Sequence, residues 1–210
     1  TQVDPFVAAL EKILEFVDQL EREGTKLEHI DLGGGLGIRY ADEAPPSVAS
    51  YLEKLLERLN RRRLRILLEP GRSLVGNAGL LLTRVEYLKP GAEKNFAIVD
   101  AAMNDLMRPA LYEAWHDVLP VRPHDGAINA YDIVGPVCES GDWLGRQRTL
   151  ALAQGDLLAI MSAGAYGMSM SSNYNSRPRA AEVMVDGDKV HLLRPRETIA
   201  SLFSSERLLP

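Results

Sequence analysis

Two short apolar runs, each ending abruptly in glycine and charge, constrain this chain more than anything else in it. The first is Ile30-Asp31-Leu32-Gly33-Gly34-Gly35-Leu36-Gly37 and the second is Ile66-Leu67-Leu68-Glu69-Pro70-Gly71-Arg72. Runs of this length bounded by turn residues predict buried strands, and the segment between them predicts a helix. A strand–helix–strand connection makes the two strands parallel and close together. Gly33 to Gly35 and Glu69 to Arg72 then emerge at the same, carboxyl edge of the sheet. In α/β barrels and open α/β sheets that edge carries the chemistry.

Three consecutive glycines expose backbone N–H groups with no side chain in the way, so an anionic oxygen can approach closely. Phosphate is the usual occupant of such a loop, and a tight turn without ligand is the alternative. Glu69-Pro70-Gly71-Arg72 puts a carboxylate and a guanidinium within one turn. On a surface such a pair is worth only about 0–1 kcal/mol. A glutamate closing a run as apolar as Ile66-Leu67-Leu68 instead predicts a buried carboxylate, which needs a cationic partner. The two motifs at one edge together point to a phosphate-bearing ligand.

A length of 210 residues suits one large domain or two small ones. The net charge of −5, from 29 acidic and 24 basic residues, leaves no electrostatic footprint for nucleic acid. The basic cluster Arg61-Arg62-Arg63 reads as the solvated end of a helix, where cations suit the dipole. One cysteine, Cys138, excludes an intrachain disulfide and suits a reducing cytosol, and the four histidines show no metal-ligand spacing. No apolar run approaches the roughly 18 residues that a membrane span needs, and no signal peptide is visible. The chain opens at Thr1, without methionine, straight into a helical pattern, which predicts a fragment or a processed piece.

In chain order, Asp4-Pro5 predicts an N-cap and first-turn proline for a helix that stops at Gly24, with Phe6, Leu10, Ile13, Leu14, Val17 and Leu20 on one face. A second helix carries Val48, Leu52, Leu55, Leu56 and Leu59, and the second strand runs from about Leu64 to Glu69. After about residue 76 the texture changes. Gly79–Leu88, Asn95–Asp100, Val118–Arg122, Ala130–Val134, Asp156–Ser162, Ala181–Val185 and Lys189–Leu193 read as strands, and Glu197–Ser204 as a short closing helix. Asp186-Gly187 predicts a type I′ hairpin turn. A helix-and-parallel-strand part followed by a strand-rich part implies two domains of different class, 1–78 and 79–210.

Three further clusters lie in the strand-rich part. Arg108 and Tyr112 are four apart and share a face on a helical turn, where a guanidinium beside a phenol suits a carboxylate; a capped connector helix is the alternative. Gly135-Pro136-Val137-Cys138-Glu139-Ser140 sets a thiol beside a carboxylate after a strand, although cysteine is most often an inert buried hydrophobe. Ala163-Gly164-Ala165-Tyr166-Gly167 and Ser171-Ser172-Asn173-Tyr174-Asn175-Ser176-Arg177-Pro178-Arg179 form a loop dense in hydrogen-bonding groups, either plain surface or site lining.

Taken together, the motifs GGGLG, EPGR, NDLMRPALY, GPVCES, GAYG and SSNYNSRPR, in that order along nearly the whole chain, resemble the C-terminal half of the diaminopimelate decarboxylases. These belong to the fold-type III pyridoxal-phosphate enzymes. The resemblance implies the last strands and helices of a TIM-like α/β barrel, residues 1–78, followed by an antiparallel β-sandwich or barrel domain, residues 79–210. It implies a cytoplasmic homodimer with active sites at the interface, acting on a small amino acid in the last step of lysine biosynthesis. Gly33, Gly34 and Gly35 would hold the phosphate of pyridoxal 5′-phosphate, with Tyr166 adding a hydroxyl. Glu69, in the corner Glu69-Pro70-Gly71-Arg72, would keep the pyridine nitrogen protonated. Arg72, Arg108 and Tyr112 would bind substrate carboxylate. Cys138, as proton donor, and Glu139, as reader of the substrate amino group, would reach the partner subunit's site. Loss of CO₂ from meso-2,6-diaminopimelate would leave L-lysine.

These residue types suit the chemistry. Decarboxylation leaves an electron pair on Cα, so a cationic conjugated ring must receive it and an acid must quench it; a thiol can be that acid. One departure is large. The family joins its cofactor covalently to a lysine on an early barrel strand and stacks a histidine on the ring. None of Lys12, Lys26, Lys54, Lys89, Lys94 and Lys189 matches that position, so the chain is expected to be inactive alone. An ornithine, arginine or carboxynorspermidine decarboxylase of the same fold type, or a non-catalytic binding paralogue, are the alternative readings.

Overall fold

A computed structural model describes residues 3–59 and 62–209. Thr1, Gln2, Asn60, Arg61 and Pro210 lie outside the described residues, and with them the readings placed on Thr1 and Arg61. The chain divides into two compact units, 1–77 and 78–210.

Unit 1 runs α1 (Asp4–Arg22), β1 (His29–Asp31), α2 (Val48–Leu59), β2 (Arg65–Leu67) and α3 (Gly71–Val75). Helical spacing puts Leu10, Leu14 and Val17 of α1 and Tyr51, Leu55 and Leu59 of α2 into one core with Ile30 and Leu36. Phe6 meets the Tyr51 ring edge-on, with centroids 5.2 Å apart. The N-cap of α1 is Val3 rather than Asp4; Asp4 sits in the first turn, where its charge suits the helix dipole. Gly24, at φ +90°, ends the turn that follows the helix. Arg62 stays partly exposed and its guanidinium forks onto the Asp18 carboxylate of α1, with Nη2 3.0 Å from Oδ2.

β1 and β2 pair in parallel, Ile30 opposite Ile66. They are shorter and less buried than their apolar composition predicts. Ile30 is buried and Ile66 packs against the helix core, but Leu67, on the other face of the pleat, is 44% exposed. Helices α1 and α2 cover the Ile30 face, and alternation turns every second side chain away from them.

Unit 2 runs β3 (Leu81–Lys89), β4 (Asn95–Val99), α4 (Arg108–Tyr112), β5 (Val118–Pro120), β6 (Ile128–Val134), β7 (Trp143–Ala151), β8 (Leu157–Ile160), β9 (Glu182–Asp186), β10 (Lys189–Arg194) and α5 (Ile199–Leu202). Six strands form one sheet in the order β5-β8-β3-β4-β6-β7. It is a nearly closed barrel around Val85, Val99, Leu106, Ile133, Leu144, Leu158 and Ile160. The expectation of an antiparallel sheet is corrected here. β4 and β6 are parallel, with Ala97 opposite Ile133, so the sheet is mixed. The connection 100–127 makes this possible, being long enough to return the chain to the starting end of β4.

The pattern also missed β7 altogether. Its apolar alternation is broken by Gly145, Arg146, Gln147 and Arg148, and Gln147 takes a positive φ of 52° where the pairing to β6 shifts register. The β9–β10 hairpin forms as expected, but its central residues are Gly187 and Asp188. Only Gly187 has positive φ, which is the II′ rather than the I′ arrangement. Thr198 caps α5 through a reciprocal box with Ser201.

Candidate active site

Unit 1 brings the glycine turn and the acid corner together. The Glu69 N–H donates to the Gly33 carbonyl at 2.8 Å, and Leu32 N–H donates to Leu67 O at 3.1 Å, extending the β1–β2 ladder into the turns. The Asp31 carboxylate accepts from Gly33 N at 2.7 Å and closes the turn from inside. Gly33 and Gly35 adopt φ of +65° and +95°, a region that only glycine enters freely. Gly34 is required for a different reason: a Cβ there would run into the Glu69 carbonyl oxygen.

Among the described residues the amides of Gly34 and Gly35 have no hydrogen-bond acceptor. Arg72, on the first turn of α3, extends toward Gly35 O at 3.5 Å, and its buried Nε has no hydrogen-bond partner among the described residues. Glu69 is exposed and, among the described residues, makes no ion pair with Arg72. That corrects the buried-pair reading, because β2 stops at Leu67 and the chain has reached the surface of unit 1 by Glu69. Two unengaged amides, an orphaned guanidinium nitrogen and a solvent-facing carboxylate at one turn fit a molecule with a phosphate at one end and a protonated ring nitrogen at the other.

Unit 2 ties the three remaining clusters to one another. Asp142 is the clasp: its Oδ1 accepts from Met103 N and its Oδ2 from Val137 N, each at 2.7 Å. One buried carboxylate thus holds the loop before α4 to the loop carrying Cys138 and Glu139. Burial pushes its carboxyl above the ordinary value, against the lowering effect of the two amides. Gly135 must lack a side chain, since a Cβ would strike this carboxylate.

Asn104 joins the first cluster to the third, donating to Ser172 O at 3.2 Å and accepting from Arg177 Nε at 3.0 Å. Tyr174 Oη donates to Glu139 Oε2 at 3.2 Å, linking the second cluster to the third. This bond, by stabilising the protonated phenol, raises the Tyr174 pKa. Cys138 and Tyr166 are exposed, and Tyr166 takes a strained φ of +60°. Arg108 and Tyr112 share the single turn α4 but differ in environment. Arg108 is buried with its Nη1 3.0 Å from His116 Nε2, whereas Tyr112 is 62% exposed. Asp142, Tyr174, Asn104 and His116 were not singled out as site residues by the sequence reading. The density of Asn, Ser, Tyr and Arg in 171–179 pointed toward Tyr174, and the stretch NDLMRPALY opens on Asn104; no signal pointed to Asp142 or His116.

This constellation defines a class. The chain belongs to the pyridoxal-dependent decarboxylases, whose C-terminal sheet domain matches residues 6–164. Within that class it is 60% identical over its whole length to the diaminopimelate decarboxylase of Pseudomonas aeruginosa, covering 51% of that protein. The crystal structure of diaminopimelate decarboxylase from M. jannaschii in co-complex with L-lysine superposes with a TM-score of 0.93 at 39% identity, over 100% of this chain and 50% of that one. The Helicobacter pylori diaminopimelate decarboxylase complexed with L-lysine gives 0.92 at 40% identity, over 98% and 51%. The chain spans about half the length of the relatives it matches.

Proposed function

We propose that the protein carrying this chain removes CO₂ from meso-2,6-diaminopimelate and releases L-lysine, with pyridoxal 5′-phosphate as cofactor. The observation that carries the reading is the hydrogen bond from Glu69 N to Gly33 O, which makes the anion-seeking turn and the carboxylate corner one rigid feature of unit 1.

Gly33, Gly34 and Gly35 hold the cofactor phosphate by their amides, and Tyr166 adds its hydroxyl. Glu69, Pro70, Gly71 and Arg72 form the corner in which the Glu69 carboxylate accepts from the protonated ring nitrogen. When bound, the cofactor supplies a sink for the electron pair left on Cα as CO₂ departs. Arg72, Arg108 and Tyr112 hold substrate carboxylate by charge-assisted bonds. Glu139, steadied by Tyr174, accepts from the substrate ammonium. Cys138 Sγ delivers the proton that replaces the lost carboxylate on Cα. We further place unit 1 in the last strands and helices of a TIM-like barrel, and the protein in the cytoplasm as a homodimer with Cys138 and Glu139 contributed across the interface. No helix of the described residues is long and apolar enough to cross a membrane.

The test is CO₂ release by the full-length protein, saturated with pyridoxal phosphate, on meso-diaminopimelate and on ornithine. Turnover of diaminopimelate alone is expected. Preference for ornithine, which lacks the second amino-acid head, would shift the assignment to the related decarboxylases; turnover of neither would leave a binding protein.

A further inference from the structure

We propose that His116 is a positioning residue that fixes the guanidinium plane of Arg108 for a carboxylate of the substrate. This rests on the reading of Arg108 as a carboxylate binder.

His116 is fully buried in the connection between α4 and β5. Its Nδ1 lies 2.8 Å from the Met161 carbonyl and its Nε2 lies 3.0 Å from Arg108 Nη1. A carbonyl only accepts and a guanidinium only donates, so the ring carries its proton on Nδ1 and offers the Nε2 lone pair to arginine. Burial, seconded by the charges of Arg108 and Arg148, lowers the His116 pKa and keeps the ring neutral, while the Met161 carbonyl and Asp117 act the other way.

The ring has little freedom to turn. Met161 N–H donates back to Asp117 O at 2.8 Å, and Arg148 Nη2 donates to the His116 carbonyl at 2.9 Å. Arg148 is itself stacked on Trp115, with Cζ 3.2 Å from the ring centroid. The choice of acceptor matters. This acceptor carries no charge: a neutral imidazole orients the guanidinium while adding no negative charge beside it.

The test uses the full-length protein with His116→Leu, which fills the space without an acceptor, and His116→Gln, whose Oε1 can accept near the Nε2 position. Thermal melting checks the fold, and calorimetry measures L-lysine, which keeps one carboxylate, against cadaverine, which has none. For His116→Leu, KM for diaminopimelate and Kd for L-lysine are expected to rise about tenfold or more, the scale of one charge-assisted hydrogen bond, with cadaverine affinity and kcat little changed. His116→Gln should recover most of the loss. Equal weakening by both variants, or parallel loss of L-lysine and cadaverine, overturns the proposal and leaves His116 a packing residue. Should His116→Leu fail to fold, His116→Asn replaces it; Asn can keep the bond to Met161 but is too short for Arg108, and normal L-lysine affinity in that variant overturns the proposal equally. A wild-type protein that neither decarboxylates diaminopimelate nor binds L-lysine fails at the functional reading instead.

Discussion

Asp142 shows how much one side chain can carry at the residue scale. Its two oxygens each serve a different backbone donor, Met103 N and Val137 N. In Asp142→Asn an NH₂ group must face one of those N–H groups, leaving a buried donor unmet. The variant should lose about 1–3 kcal/mol of stability, read by denaturant unfolding, and loosen the Cys138 loop in amide hydrogen exchange. A second residue-scale prediction concerns pH. His124 Nε2 sits 2.9 Å from Asp156 Oδ2. The carboxylate, chiefly by accepting this bond, raises the His124 pKa above its ordinary 6.5. Burial works to raise Asp156, but the Ala153 N–H and His124 outweigh it and bring the carboxyl below its ordinary 3.8.

A raised histidine stabilises the fold below its unfolded pKa and stops doing so as pH rises through the folded value. A depressed aspartate stabilises above its unfolded pKa and stops as pH falls through the folded value. The pair therefore contributes between the depressed Asp156 value and the raised His124 value. In melting curves, His124→Gln should cost most Tm at a pH between 3.8 and 6.5 and nothing above the raised histidine value. Neither group was legible as a pair in the sequence, because 32 residues separate them and only folding brings them together. The same holds for His116 with Arg108 and for Tyr174 with Glu139. Each partner shows its chemistry in its letter, but the pairing is a property of the fold, which brings distant loops together for Tyr174 and Glu139 and bends one connection back on itself for His116 and Arg108.

At the scale of elements, strand–turn signals read well wherever apolar residues alternated without interruption. β3, β4, β6 and the β9–β10 hairpin were all visible that way. β7 was not, since its bulge at Gln147 spends two residues against one partner and destroys the period. The glycine turn was legible because three glycines in a row have few other uses, yet the need for Gly34 in particular comes from a carbonyl 35 residues away in sequence. Gly34→Ala should therefore push the turn off the Glu69 strand end, an overpacking cost of about 1–3 kcal/mol. We expect a lower melting temperature and, in the full-length protein, at least about tenfold weaker pyridoxal phosphate binding by absorbance titration.

The whole molecule was legible as two parts because the periodicity changes near residue 76, but the mixed character of the sheet was not, strand direction having no signature in composition. Prediction at this scale concerns assembly. If Cys138 serves the site of the partner subunit and Glu69 its own, Cys138→Ala and Glu69→Ala proteins, each inactive, should complement when mixed and allowed to exchange subunits. One restored site per heterodimer gives about a quarter of wild-type activity. No recovery, with exchange verified by native mass spectrometry, would place Cys138 and Glu69 in the same subunit's site. The parallel pairing of β4 and β6 carries a last consequence. It obliges residues 100–127 to carry the chain back to the starting end of β4, laying down β5 beside β8 on the way, and Arg108, Tyr112 and His116 ride on the stretch 100–117 that precedes β5. Changes of length within 100–117 fall between β4 and β5 and leave the pairing of β4 with β6 untouched, so descendants of this gene can remodel that stretch without redesigning what holds them together.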